Sequence, residues 1–196
     1  MGQCFFACWN GENTLKDLDL GAKIMASLFQ SITPRTPGFN TIPIGEVPNE
    51  TLLLLIILMF IGGLSGPKAG GIKAGTFAIL CSTALSRLRG YQEPFAFGGT
   101  ISPGSVARAM SFTIMCTVIA MAGTFLLQAT EVGASVDPGS RGKFLELLFE
   151  VVSAVGTVGL SMGVTPTLSD AGKIVLILIT FGKTWSPGCG PCCLPP

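Results

Sequence analysis

Histidine is absent from the 196-residue chain, and charged residues make up only 12% of it. The lack of imidazole excludes histidine chemistry and removes the commonest metal ligand. Soluble domains carry about 25% charged residues, so a chain that is 48% hydrophobic and so poorly charged is typical of membrane proteins. The net charge is +1, without a run of Lys or Arg, which argues against nucleic-acid binding.

Enzyme motifs are scarce as well. No segment offers a nucleophile, a base and an orienting group together, and the Gly-rich segment 62–71 lacks the Gly-Lys-Ser/Thr of a phosphate-binding loop. The cysteines do not follow a secreted disulfide pattern. Cys189 and Cys192 have the spacing of a thioredoxin-like redox pair, but no strand or βαβ unit precedes them. A thiol redox protein is therefore only an alternative to a membrane function.

Apolar segments of different lengths follow one another along the chain. Residues 109–130 carry no charge and are long enough to cross a hydrocarbon layer of about 30 Å. Residues 20–32 and 144–155 are too short to cross and are predicted to be re-entrant pore helices. A further span starts over 174–181, and the Gly-, Pro- and Cys-rich sequence from Gly182 onward is predicted to end it.

The segment 51–88 is predicted to be a broken helix. Its apolar halves, 51–61 and 72–88, flank a Gly/Pro-rich loop, which is tolerated at membrane depth only where it lines a cavity or is buried in protein. We expect this loop to be a gate, formed by Gly62, Gly63, Gly66, Gly70, Gly71 and Lys73. The alternatives are a flexible kink and a Lys73 side chain that simply reaches the interface.

Two tetrapeptides are spaced by 121 residues, Thr36-Pro37-Gly38-Phe39 and Thr157-Val158-Gly159-Leu160. Each follows a predicted pore helix, whose negative end would face a cation. A potassium-type filter coordinates ions with backbone carbonyls, and Gly permits the dihedrals this requires. One copy alone could be an ordinary turn, but the repeated context favours an ion filter. All eight residues are predicted ion ligands.

Charged residues outside the loops suggest the orientation. Arg87, Arg89 and Arg108 lie in the connection before the 109–130 span, which the positive-inside rule places in the cytoplasm, so the filter loops would open outward. Glu146 and Glu150 lie four residues apart on one helix face. We interpret that face as solvated or interfacial rather than as a pair of catalytic carboxylates.

Four stretches together resemble the Trk/Ktr/HKT potassium transporter superfamily, most closely the carboxyl-terminal half of its Ktr-type pore subunit. They are 29–40, 58–63 with 70–73, 149–163, and the pair Gly172-Lys173. The resemblance implies an all-α integral membrane fold of four membrane-pore-membrane repeats around one pore. It also implies K+ flux, sometimes with Na+, and homodimeric pore subunits in the cell membrane on a cytoplasmic nucleotide-binding regulatory subunit.

By this resemblance, residues 1–90 are a partial third repeat, 91–182 are the fourth repeat, and 183–196 are an aberrant tail. Pro37 stands where the family usually has Ala, and 64–68 departs from the family's gate loop. We expect a truncated or frameshifted product that does not conduct alone, since two filter segments cannot surround an ion. Conduction would need a second copy or a full-length pore subunit; the alternative is a non-conducting fragment that associates with such a subunit.

Overall fold

The computed structural model describes residues 19–35, 38–39, 44–63, 72–90, 95–96, 99–131 and 140–184. Six α-helices lie within them: α1 (Leu20–Ile32), α2 (Asn49–Phe60), α3 (Ala74–Leu88), α4 (Pro103–Glu131), α5 (Ser140–Gly156) and α6 (Asp170–Thr184). Short 3₁₀ helices cover Thr33–Arg35, Ile44–Glu46 and Thr165–Thr167. Between α3 and α4, strands β1 (Phe95–Ala96) and β2 (Gly99–Thr100) pair antiparallel, with Phe95 opposite Thr100. The regular secondary structure of the described residues is thus helical, apart from this small hairpin and a single bridge between Ile61 and Ile72.

Some helix boundaries in the structure agree with those predicted from the sequence, and others differ by several residues. The prediction of a helix over 20–32 is confirmed. Helix α4 begins six residues before the predicted 109, because Pro103 suits a first turn and the Ser102 hydroxyl accepts a hydrogen bond from the Ser105 amide at 3.4 Å. The last helix, predicted to start at 174 and to end in the sequence from Gly182 onward, begins four residues earlier at Asp170 and reaches Thr184; it includes Gly182 because glycine weakens a helix without forbidding it.

Helix α5 is the centre of the packing. It contacts α2, α4 and α6, and its side chains Phe149 and Val151 are fully buried. Gly156 at its end lies so close to α2 that an added Cβ would be 3.3 Å from the Met59 carbonyl oxygen. A helix of only 17 residues is thereby enclosed on three sides, which positions its carboxyl end firmly.

Among the described residues, one helix is long and apolar enough to cross a membrane, and this is α4, with 29 residues. A stripe of large apolar side chains on α4 is between 49% and 74% exposed: Met110, Ile114, Val118, Met121 and Phe125. Its threonines donate hydrogen bonds to carbonyls one turn earlier, as Thr113 does to Ala109 at 2.9 Å. An apolar outer surface with internally satisfied hydroxyls is what a lipid environment requires.

The start of α6 is tied to the end of α4 by a serine. The Ser169 hydroxyl donates to Glu131 Oε1 at 2.6 Å and accepts from the Gly172 amide at 3.2 Å. The Ser169 amide also donates to Glu131 Oε1, at 2.9 Å. Ser169 is therefore both the amino-terminal cap of α6 and the link between the two helices.

Replacing Ser169 by alanine is expected to lower the free energy of unfolding by about 1 kcal/mol, the usual cost of a lost cap. Thermal unfolding of the purified chain in detergent measures this change. Thr117→Val is the matched control, since the Thr117 hydroxyl is exposed and bonds only to Thr113 within its own helix. Equal losses in the two variants would contradict the linking role of Ser169.

Candidate functional site

The first glycine loop, the predicted filter segment 36–39, follows α1 after the 3₁₀ turn Thr33–Arg35. Gly38 has a left-handed backbone, with φ of +63°, and its amide donates to the Thr33 carbonyl at 3.2 Å. The Thr33 hydroxyl donates to the Phe39 carbonyl at 3.3 Å. The chain therefore reverses direction at the end of α1, as expected of a loop after a pore helix. The predicted ligands Thr36 and Pro37 lie outside the described residues.

The second glycine loop closes the carboxyl end of α5 with a Schellman-type turn. The Val158 amide donates to the Ser153 carbonyl at 3.0 Å, and the Thr157 amide donates to the Ala154 carbonyl at 3.1 Å. Thr157 takes the left-handed position usually held by glycine, with φ of +51°. Its hydroxyl donates to the Gly156 carbonyl at 2.7 Å. A threonine in this conformation is the kind of local strain that is common at functional sites.

The two glycine loops contact each other. A Cβ on Gly38 would overlap the carbonyl oxygen of Val158, so only glycine fits between the loops at that point. Gly159, one residue further, also has a left-handed backbone, with φ of +86°, but its Cβ position is open. The structure thus brings together Gly38 and the segment 157–160, which the sequence predicted as parts of one filter.

The helix ends add a favourable field at this place. Helix α5 points its carboxyl end at the second loop, and α1, through the 3₁₀ turn Thr33–Arg35, points its own at the first. Carboxyl ends of helices carry partial negative charge. Backbone carbonyls supported in this way are suited to holding a desolvated monovalent cation.

The predicted gate begins directly beside the first loop. Gly62 and Gly63 are buried, and the Gly63 amide donates to the carbonyl of Arg35 at 3.2 Å. On the far side of residues 64–71, Ile72 pairs in parallel with Ile61, and the Ala74 amide donates to the Gly63 carbonyl at 3.3 Å. Gly63 and Ile72 are therefore held near each other, beside the first glycine loop.

Of the remaining residues of the predicted gate, Lys73 lies within the described part of the chain and three glycines lie outside it. Lys73 is half-buried and immediately precedes α3. Gly66, Gly70 and Gly71 lie outside the described residues, as do Cys189 and Cys192 of the predicted redox alternative. Their roles stay predictions.

The interpretation of Glu150 as a solvated or interfacial residue is wrong. The Glu150 side chain is only 5% exposed. Glu150 Oε1 accepts hydrogen bonds from the Ser161 hydroxyl at 2.6 Å and the Met162 amide at 3.0 Å, and Oε2 accepts one from the Thr165 hydroxyl at 2.9 Å. The carboxylate supports the segment that follows the second glycine loop.

A sequence signal for Glu150 exists in hindsight. Helices α1 and α5, the two predicted pore helices, each contain a phenylalanine followed by a polar residue, Phe29-Gln30 and Phe149-Glu150. Both polar side chains are buried, with exposed fractions of 1% and 5%. Apolar neighbours on the same helix stripe, such as Leu147, also indicated a buried face. The spacing of Glu146 and Glu150 pointed the other way.

A cavity of 390 Å³ lies beside the second loop, between α5 and α6. Its polar lining consists of Glu150, Ser153, Thr157, Ser161, Thr165 and Thr180. The cavity adjoins Gly159 and Leu160, so the loop that carries the predicted ligands has open space on one side.

Comparison with known proteins identifies a family and several relatives. Residues 3–183 match the family described as TrkH, cation transport protein. The chain is 37% identical over 177 residues to Ktr system potassium uptake protein B of Bacillus subtilis (strain 168), covering 90% of this chain and 38% of the relative. It is 33% identical over 170 residues to the protein of the same name from Vibrio alginolyticus, covering 87% and 35%.

A third relative is potassium/sodium uptake protein NtpJ of Enterococcus hirae, which is 36% identical over 159 residues, covering 81% of this chain and 34% of the relative. The chain thus spans between 34% and 38% of the length of these three relatives.

Proposed function

The chain belongs to the TrkH family of cation transport proteins, an all-α integral membrane fold, and we propose that it supplies two of the filter segments of a potassium uptake pore. The contact between Gly38 and the Val158 carbonyl carries this proposal. It joins two glycine-containing loops, each at the carboxyl end of a short helix, at a backbone carbonyl oxygen. The relatives named for potassium uptake support the choice of ion.

In this proposal the ion ligands are backbone oxygens of 36–39 and 157–160, and the gate is the segment 62–73. Potassium is the transported ion, and sodium is the alternative, since one relative is named for both. Two loops cannot surround an ion, so the remaining filter segments come from a second copy or from the rest of a longer pore subunit. By the family resemblance, the assembly is multi-pass, lies in the cell membrane and contacts a cytoplasmic nucleotide-binding regulatory subunit.

A chimera tests the proposal. Residues 19–181 of this chain replace the matching part of the Bacillus subtilis relative, and the chimera is expressed in a bacterium that lacks potassium uptake systems. We expect growth at limiting potassium and saturable uptake of rubidium-86, a tracer for potassium. The intact relative is the positive control, and a chimera lacking 157–163 is the negative one. A chimera that is inserted in the membrane at the level of the intact relative but takes up no rubidium would contradict the proposal.

One observation favours a second function, that of a fragment associating with a full-length pore subunit without conducting. Helix α1 exposes apolar side chains, with Met25 at 71% and Ile24 at 55%, although a re-entrant helix needs protein around it. Co-expression of the unmodified chain with the intact Bacillus subtilis relative separates the two functions. Lowered rubidium uptake by the relative would support the second function, and unchanged uptake would exclude it.

A further inference from the structure

The carboxylate of Glu150 is buried beside the cavity between α5 and α6 and held by three neutral donors. Burying an ionised carboxylate is costly unless hydrogen bonds replace the lost water. Ser161, Met162 and Thr165 provide those bonds, at 2.6, 3.0 and 2.9 Å. Hydrogen bonds to a charged acceptor are short and stronger than neutral ones. All three donors lie within five residues of the end of the second glycine loop.

The second loop is therefore fixed at both ends by α5. Its first residues are bonded to the end of the helix, as Val158 is to Ser153. Its far end is bonded to Glu150, which lies one turn earlier in the same helix. Between these two anchors are the carbonyls of 157–160, with the 390 Å³ cavity beside them. Without the Glu150 anchor, the loop would have space to move.

We propose that Glu150 is a positioning residue that fixes the spacing of the carbonyls in the second loop and thereby sets the preference for K+ over Na+. The inference rests on the proposed function of the loop as part of a potassium filter. Selectivity between these ions depends on the cavity size or on the number and field strength of the carbonyls. In the first case the loop must resist closing around the smaller ion, and in the second the number of carbonyls that reach the ion must stay fixed.

The chain offers a matched pair of variants in the short helix Thr165–Thr167. Thr165→Val removes the hydroxyl that donates to Glu150 Oε2 and keeps the size of the side chain. Thr167→Val is the control, because the Thr167 hydroxyl is exposed and donates only to the Val164 carbonyl. Glu150→Ala removes the anchor entirely. Glu150→Gln keeps its shape, since the amide can accept from Ser161 and Met162 and donate to the Thr165 oxygen.

The experiment measures how strongly K+ and Na+ each compete with rubidium-86 uptake by the chimera. Loss of a hydrogen bond to a charged group corresponds to about a tenfold change in an equilibrium, and we expect Glu150→Ala to lower the K+/Na+ preference by about that factor. Thr165→Val should lower it several-fold, whereas Glu150→Gln and Thr167→Val should stay within about twofold.

The outcomes separate the inference from the proposed function. If the unmodified chimera transports and Thr165→Val has the same ion preference as Thr167→Val, the inference is overturned and the proposed function stands. This comparison also decides the matter if Glu150→Ala fails to fold. If the unmodified chimera reaches the membrane and takes up no rubidium, the proposed function fails and the inference falls with it.

Discussion

Replacing Gly38 by alanine is expected to abolish rubidium uptake by the chimera, whereas the same change at Gly159 should only reduce it. The two glycines occupy equivalent places in their loops but are needed for different reasons. At Gly38 the new Cβ would overlap the Val158 carbonyl oxygen, a backbone atom that cannot move without displacing the second loop. At Gly159 the space is open, and the cost is the left-handed backbone alone, about 1–2 kcal/mol.

Asparagine distinguishes these two causes. It tolerates left-handed dihedrals better than other non-glycine residues, so Gly159→Asn should recover part of the uptake that Gly159→Ala loses. Gly38→Asn should recover none, because its Cβ meets the same oxygen. Uptake is normalised to the amount of protein in the membrane. Equal losses for Gly38→Ala and Gly159→Ala would contradict the contact between the loops.

Replacing Gly123 by leucine is expected to prevent stable packing of α4 against α5 and α6. Gly123 is buried, and a Cβ there would lie 2.5 Å from Ile179 Cδ1 and 3.1 Å from Val151 Cγ1. Small residues let membrane helices approach closely, and overpacking such a contact costs about 1–3 kcal/mol and occasionally more. The unfolding temperature of the purified chain in detergent should fall steeply.

A second change tests whether the loss comes from this contact. Ile179→Ala removes the side chain that the leucine would meet first, so the double variant should regain part of the lost unfolding temperature. Gly75→Leu is the control, because an added Cβ on Gly75 in α3 meets nothing within 4 Å. If Gly75→Leu is as harmful as Gly123→Leu, close helix packing is not the reason.

The helical segments could be predicted because uncharged apolar runs form helices in a membrane and Gly/Pro-rich sequences interrupt them. The offset of 121 residues paired Gly38 with Gly159, but it did not show that Gly38 lies against the Val158 carbonyl. Such a contact depends on how two distant turns are oriented by their helices.

The role of Glu150 could not be deduced from its spacing. A carboxylate four residues from Glu146 looks solvated until the fold brings Ser161 and Thr165 back to it. The amino-terminal end of α6 was missed because its first turn, from Asp170 to Lys173, lacks large apolar side chains. The left-handed Thr157 had no sequence signal, since glycine is the usual residue there.

If the two glycine loops supply ligands to a bound potassium ion, the ion should stabilise the folded pore. The most direct test is thermal unfolding of the purified chimera in KCl, NaCl and N-methylglucamine chloride at equal ionic strength. An ion that binds only the folded state raises the unfolding temperature with its concentration. We expect a saturable increase in KCl that is larger than in NaCl and is lost in Gly38→Ala. Identical unfolding temperatures in the three salts would contradict this role of the loops.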